Sequence, residues 1–181
     1  MMRLFICGHA QHGKDTVAQI LWEEFGLSYA DSSVIAMREF LRDQLAENFG
    51  LHYESELACY QDRVNHRAAW FSLIADYNAE DPARLARRIF SLHHAYVGIR
   101  NAAEFAAARK LATFSLWVDA SERMVAESFD SNTMTPDMCD VVVRNNGTLE
   151  DLRAKLWRVF HRLPLDASLP NSRPVKCEAS Q

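Results

Sequence analysis

The chain has 181 residues, of which 49% are apolar and 24% are charged, and its formal net charge is −4. This length suits one domain with a full hydrophobic core, and the composition is ordinary for a soluble globular protein, which argues against other classes. No apolar run approaches the ~20 residues of a membrane span, and the run near the start is too short for a signal peptide, so we expect a cytoplasmic protein.

The first predicted element is a short buried strand, Leu4–Cys7, which leads into a loop with the spacing of a phosphate-binding site. The loop reads Gly8-His9-Ala10-Gln11-His12-Gly13-Lys14-Asp15-Thr16, that is, Gly, four residues and then Gly-Lys. A helix is predicted from Lys14 to about Phe25. Glycines let successive N–H groups surround a phosphate, the helix N-terminus adds a positive dipole, and Lys14 reaches the β- and γ-phosphates. Strand, loop and helix together predict a P-loop that binds a nucleoside triphosphate.

A carboxylate stands where this motif usually has Ser or Thr as its Mg²⁺ ligand. Asp15 occupies that position and Thr16 follows it. Carboxylate oxygens are also hard ligands, so Asp15 is a candidate metal ligand.

The second predicted strand, Leu27–Ala30, ends at Asp31, and we expect it to flank the P-loop strand. Ligands of open α/β sheets bind at the carboxyl ends of strands, so Asp31 is a candidate metal ligand and proton acceptor. The alternative is a helix cap formed by Asp31, Ser32 or Ser33.

Residues 34–92 are helical in pattern and interrupt the strand–helix alternation, which predicts a helical insertion over the ligand-binding edge of the sheet. Within it, Arg63 and Arg67 are expected one helical turn apart, with His66 between them. They either face the cleft as phosphate-stabilising catalytic residues or form a solvated helix face. Arg84, Arg87 and Arg88 share one side of a later helix.

Alternation then resumes over three further predicted strands, Ala95–Ile99, Phe114–Val118 and Asp140–Val143, and a last helix capped by Thr148 with Asp151. The fold class is therefore α/β, a three-layer P-loop NTPase with a five-stranded parallel sheet and a helical insertion. We expect one domain over 1–163 and a flexible tail over 164–181.

Polar residues follow each of these three strands. Arg100, with Glu104 one helical turn later, either contacts phosphate or links the strand to the helix. Asp119 is expected to cap the following turn. Asn145 and Asn146 either line a purine or form a tight turn before the last helix. Trp70, Phe71 and Tyr77 are either a stacking surface or core.

The P-loop, the strand–Arg100–Glu104 segment, Trp117–Ser121 and Asn145–Leu152 resemble those of phage-type deoxynucleoside monophosphate kinases and thymidylate-kinase-like relatives. More narrowly, Gly8–Ala18 and Asn65–Phe71 resemble phage 5-hydroxymethyluracil DNA kinases. That resemblance implies an enzyme that uses ATP and Mg²⁺ to phosphorylate the hydroxymethyl group of 5-hydroxymethyluracil in DNA, a step in thymidine hypermodification. A phage enzyme of this kind acts in the host cytoplasm.

Two departures from the mononucleotide-kinase pattern keep alternatives open. The segment Ser121–Cys139, where such kinases carry an arginine-bearing lid, has a single basic residue, Arg123. Gly98 stands where relatives often have an acidic residue. A thin lid favours a polymeric acceptor over a small nucleotide that must be enclosed. The alternatives are a kinase of free deoxynucleoside monophosphates and a non-catalytic nucleotide-binding regulator.

Overall fold

The computed structural model describes residues 2–126 and 132–163. The predicted tail, 164–181, and part of the lid segment lie outside the described residues. Within them, five parallel strands form one sheet in the order β2-β3-β1-β4-β5. The strands are β1 Leu4–Cys7, β2 Tyr29–Asp31, β3 Ala95–Val97, β4 Phe114–Asp119 and β5 Val141–Arg144. The predicted five-stranded parallel α/β fold is thus confirmed.

Eight α-helices surround this sheet in the described part of the chain. They are α1 Lys14–Phe25, α2 Ser32–Ala36, α3 Arg42–Phe49, α4 Glu56–Asp62, α5 Arg67–Tyr77, α6 Arg84–Phe90, α7 Ala102–Ala108 and α8 Leu149–Phe160. A π-helical turn, Met37–Leu41, joins α2 to α3, so the first part of the region predicted to be helical, 34–92, contains a wider turn. The predicted cap of α8 is confirmed, because Thr148 and Asp151 form a capping box.

Two hydrophobic cores lie on opposite faces of the sheet because side chains of a strand alternate. Along β1, Phe5 and Cys7 pack under the helical insertion, whereas Leu4 and Ile6 pack against α1 and α8. Phe5 makes edge-on ring contacts with Phe90 and Phe105. Each buried side chain of this size contributes about 1.5–3 kcal/mol. Packing on both faces holds the sheet in place, including its carboxyl edge, where the P-loop begins.

Two expectations about the neighbourhood of the P-loop are wrong. First, β2 does not flank β1, because β3 pairs with both of them. Second, Arg63 and Arg67 do not share a helix, since α4 ends at Asp62 and α5 begins at Arg67. Backbone bonds from Asn65 to Asp62 and from His66 to Arg63 form the intervening turn. None of the described helices is long and apolar enough to span a membrane.

Candidate active site

Two glycines of the P-loop are required by close packing as well as by backbone angle. Gly8 has φ +140°, and a Cβ there would lie 2.6 Å from the carbonyl oxygen of Val118 on β4. Gly13 has φ +95°, and a Cβ there would lie 2.3 Å from the amide nitrogen of Asn145. Any side chain would displace one of these neighbours, so the loop backbone is held tightly against the sheet edge.

The charged and hydroxyl side chains of the loop lie at its rim. The Lys14 Nζ donates a hydrogen bond of 2.7 Å to the carbonyl oxygen of His9, which folds the ammonium group back over the loop. Asp15 and Thr16 are exposed in the first turn of α1. Anions bind favourably at such a helix N-terminus, where N–H groups have no intrahelical partner.

His12 anchors the loop from behind, a role that the motif spacing alone does not reveal. Its ring is 1% exposed, and the Nδ1 accepts a hydrogen bond of 3.0 Å from the backbone N–H of Ala120. Its carbonyl oxygen accepts one of 2.9 Å from the side-chain amide of Asn145. His9 contacts the rings of both His12 and Trp117 edge-on. The loop is therefore tied to the ends of β4 and β5.

The loop after β5 makes further hydrogen bonds that hold the P-loop against the sheet. The backbone N–H of Asn145 donates to the carbonyl of Asp119 at 2.6 Å, and the Arg123 Nε donates to the carbonyl of Asn145 at 2.8 Å. Asn145 is buried with its amide on His12, whereas the Asn146 oxygen accepts a 3.4 Å bond from the backbone of Glu122. The structure thus places Asn145 behind the P-loop. As expected, Asp119 caps the following turn, through Ser121.

Asp31 lies at the same edge of the sheet, within a cluster that we call the Asp31–Tyr60–Arg63 cluster. The Asp31 Oδ1 accepts a 2.7 Å bond from the N–H of Ser33, so Asp31, and not a serine, caps α2. Its Oδ2 accepts a 3.2 Å bond from the Tyr60 hydroxyl. The Arg63 guanidinium lies over the Tyr60 ring, 4.4 Å from its centroid. Sequence reasoning missed Tyr60, which no motif marks.

The first turn of α1 contributes to the electrostatics of this cluster. Burial raises the pKa of Tyr60 most, the Asp31 carboxylate raises it further, Arg63 opposes this, and Asp15 adds a smaller increase. Two carboxylates from different elements therefore act on one hydroxyl. Within the described residues no three His, Cys, Asp or Glu side chains form a metal-binding group. Mg²⁺ needs only one or two carboxylates when phosphates and water complete its shell, so Asp15 and Asp31 fit that requirement.

The remaining predicted cations differ in their surroundings. Arg67 is exposed at the start of α5. Arg100 follows β3, and its carbonyl accepts a 2.9 Å bond from the N–H of Thr133, which joins the strand end to the lid segment. Glu104 is 9% exposed, and burial raises its pKa.

The three arginines of α6 interact with other side chains of the protein. Arg88 pairs with Glu39 at 2.6 Å and Arg87 pairs with Asp81. The Arg84 guanidinium lies 4.1 Å from the centroid of the Tyr77 ring. Trp70 is buried in the core, and Tyr77 stacks on Phe40 and packs half-buried against that core, whereas Phe71 is 39% exposed.

Comparisons with known proteins identify the fold class. No family model matches the sequence, and no curated protein matches it. The chain is similar to the solved structure of shikimate kinase from Aquifex aeolicus, with a TM-score of 0.51 and 13% identity over 88% of this chain and 96% of that one. It is also similar to TT1252 from Thermus thermophilus, with a TM-score of 0.52 and 20% identity over 90% and 97% of the two chains. The chain therefore has the fold of the P-loop kinases.

Proposed function

We propose that this protein is an ATP-dependent kinase that phosphorylates the hydroxymethyl group of 5-hydroxymethyluracil in DNA. The observation that carries the phosphotransfer is the P-loop, with Lys14 at its rim, beside an Asp31 carboxylate held by two hydrogen bonds. Phosphoryl transfer depends mainly on positioning and charge neutralisation. This site supplies N–H groups and a lysine that position the phosphates, and charged side chains that neutralise the developing charge.

The donor side of the reaction rests on residues 8–16. Their N–H groups and Lys14 hold the phosphates of ATP, and Asp15 would hold Mg²⁺, for which Asp31 is the second candidate ligand. The Mg²⁺ would supply positive charge that neutralises the charge developing on the transferred group. Asn145 supports the loop, and its neighbour Asn146 remains a candidate contact for the purine.

On the acceptor side, Asp31 takes the proton of the acceptor hydroxyl as that oxygen attacks the γ-phosphorus. Arg63, Arg67 and Arg100 stabilise the charge on the transferred phosphoryl group. Arg63 already lies in the Asp31–Tyr60–Arg63 cluster, over the Tyr60 ring. Arg100 follows β3, which pairs directly with the P-loop strand.

Exposed side chains near the turn between α4 and α5 support a DNA acceptor. Arg67 is exposed beside Val64 and Phe71, which are 58% and 39% exposed. Cations that follow a phosphate backbone, next to apolar surface that contacts bases, are typical of single-strand nucleic-acid sites. The segment Asn65–Phe71, which carries the family resemblance, lies in this region. A target base in duplex DNA must be flipped out to reach Asp31.

The deciding experiment supplies γ-labelled ATP with three acceptors: DNA containing 5-hydroxymethyluracil, the same DNA containing thymine, and free deoxynucleoside monophosphates. We expect label only on the hydroxymethyluracil DNA. Label only on free nucleotides would replace the proposed acceptor with the nucleotide alternative. ATP binding without transfer to any acceptor would favour the regulator.

A matched pair of variants tests the DNA surface. Arg67→Ala should raise the KM for DNA, and the effect should weaken with added salt because phosphate contacts are screened. Arg88→Ala removes an equal charge on α6, outside the α4–α5 turn, and should leave this KM nearly unchanged. Equal effects of the two substitutions would contradict the assignment of the α4–α5 turn as the DNA surface.

A further inference from the structure

The Asp31 carboxylate is restrained by two different structural elements. One oxygen caps α2 through the Ser33 N–H at 2.7 Å, and the other accepts the Tyr60 hydroxyl of α4 at 3.2 Å. A capping bond alone leaves a carboxylate free to rotate about its outer torsion, because terminal sp³–sp² torsions are broad. The second bond, from a different element, removes that freedom.

The hydroxyl of Tyr60 is suited to this task. A phenol hydroxyl is protonated at neutral pH, so Tyr60 can donate its hydrogen bond to the Asp31 Oδ2, and its ring is partly buried. The Arg63 guanidinium over the ring restricts the ring itself. Further contacts hold α4: Arg38 pairs with Glu56 at 2.9 Å near its start.

We propose that Tyr60 is a positioning residue that holds the Asp31 carboxylate in the orientation needed to receive the acceptor proton. The proposal rests on the proposed kinase function and adds to it a residue that does not itself touch the reacting atoms. An acceptor hydroxyl that approaches Asp31 shares the Oδ2 with Tyr60, so the tyrosine fixes the direction from which it must come.

A second tyrosine in the same insertion offers a matched control. The Tyr53 hydroxyl donates a 2.8 Å bond to the Oδ2 of Asp62, and its pKa is likewise raised by burial and by its carboxylate. Tyr53 therefore has the same chemistry as Tyr60 but serves a carboxylate to which we assign no part in the reaction. Substitution by Phe removes one hydroxyl in each case and leaves both rings in place.

The test measures kcat, the KM for ATP and the thermal midpoint of unfolding for both variants. Tyr60→Phe should lower kcat by about 10-fold or more, the effect of one lost hydrogen bond to a charged group, with the KM for ATP unchanged. Tyr53→Phe should leave kcat within about twofold, since its bond only supports α4. An unchanged kcat in Tyr60→Phe, or an equal loss in both variants, would overturn the proposal.

A double-mutant cycle separates positioning from a general structural effect. In an Asp31→Asn background, Tyr60→Phe should cost less than about twofold, because its partner is already altered. The same fractional loss in both backgrounds would show that Tyr60 acts independently of Asp31. Single-turnover assays with labelled ATP and excess enzyme keep slow variants measurable.

The test also distinguishes failure of this proposal from failure of the proposed function. If wild-type protein transfers no label to hydroxymethyluracil DNA, the acceptor assignment fails, and the cycle is run on free deoxynucleotides or on ATP hydrolysis with water as acceptor. Coupling between Tyr60 and Asp31 in that reaction would uphold the positioning role. Additive effects there would overturn it.

Discussion

The Asn145 side chain joins the loop after β5 to the P-loop, and its removal should weaken both stability and ATP binding. Asn145→Ala deletes the 2.9 Å bond from the amide to the His12 carbonyl. Both groups belong to buried residues, since Asn145 is 7% and His12 is 1% exposed. Losing one partner of a buried hydrogen bond costs about 1–3 kcal/mol, because the remaining group stays unsatisfied. We therefore expect a decrease of that size in the free energy of unfolding.

The effect on the ligand follows from the position of the bond. His12 precedes Gly13 and Lys14, so a loosened His12 carbonyl releases the part of the loop whose N–H groups surround the phosphates. If the displaced N–H groups lose about 1.4 kcal/mol of binding free energy, ATP binds tenfold more weakly. Urea denaturation reports the stability change, and calorimetric titration of the folded protein with ATP reports the affinity.

The neighbouring Asn146 provides the control for stability, because its side chain accepts one long bond among the described residues, of 3.4 Å, from the backbone of Glu122. Asn146→Ala should change stability by less than about 0.5 kcal/mol. A coupling test uses Gly13, where a Cβ would lie 2.3 Å from the Asn145 amide nitrogen. Gly13→Ala should be less harmful in the Asn145→Ala background. Equal losses of stability in the two asparagine variants, or additive losses of stability with Gly13→Ala, would refute this reasoning.

Three further predictions concern stability. The pKa of His93 is lowered from 6.5 to about 4 by burial and by His94, so the unfolded chain binds a proton that the folded protein does not. Stability should therefore fall by up to about 3 kcal/mol as the pH drops through this range, and pH-dependent denaturation of His93→Gln should show a shallower loss. Burial acts to raise the pKa of Asp140, but hydrogen bonds from Ser115 and Arg109 outweigh it, and the pKa lies below its usual range. Asp140→Asn should lower stability at neutral pH by about 1–2 kcal/mol, with the difference vanishing as the pH falls below about 4. An undiminished difference at acid pH would contradict that sign. Gly8→Ala should destabilise the protein and reduce ATP binding, because its Cβ would collide with the carbonyl of Val118; wild-type affinity would contradict it.

The elements of the fold were predictable because their signals are local. The apolar run of β1, the glycines of the loop and the 3.6-residue period of α1 lie within one stretch of sequence, and each agrees with the others. The start of α8 was predictable for the same reason, since the capping box spans only Thr148–Asp151. Strand order is not local, which explains the wrong expectation for β2: β3, far along the chain, pairs between β2 and β1.

The site residues that belong to a sequence motif or follow a strand were predictable, whereas contacts between residues far apart in the sequence were not. Lys14 and Asp15 follow from the loop spacing, and Asp31 from the end of a strand. The Tyr60 hydroxyl reaches Asp31 across 29 positions of sequence, and Asn145 reaches His12 across 133. Pairing of the α6 arginines with Glu39 and Asp81 was hidden in the same way, because composition shows charges but not their partners.

The central claim is that the P-loop binds ATP for transfer of its γ-phosphoryl group, and Lys14→Ala tests it most directly. Transfer of label from γ-labelled ATP to hydroxymethyluracil DNA is measured for wild-type protein, for Lys14→Ala and for a control, Lys110→Ala, which lies in the exposed turn Arg109–Leu111. We expect Lys14→Ala to lose transfer while its circular dichroism and thermal midpoint stay close to those of the wild type, and Lys110→Ala to remain active. Undiminished transfer by folded Lys14→Ala would contradict the assignment.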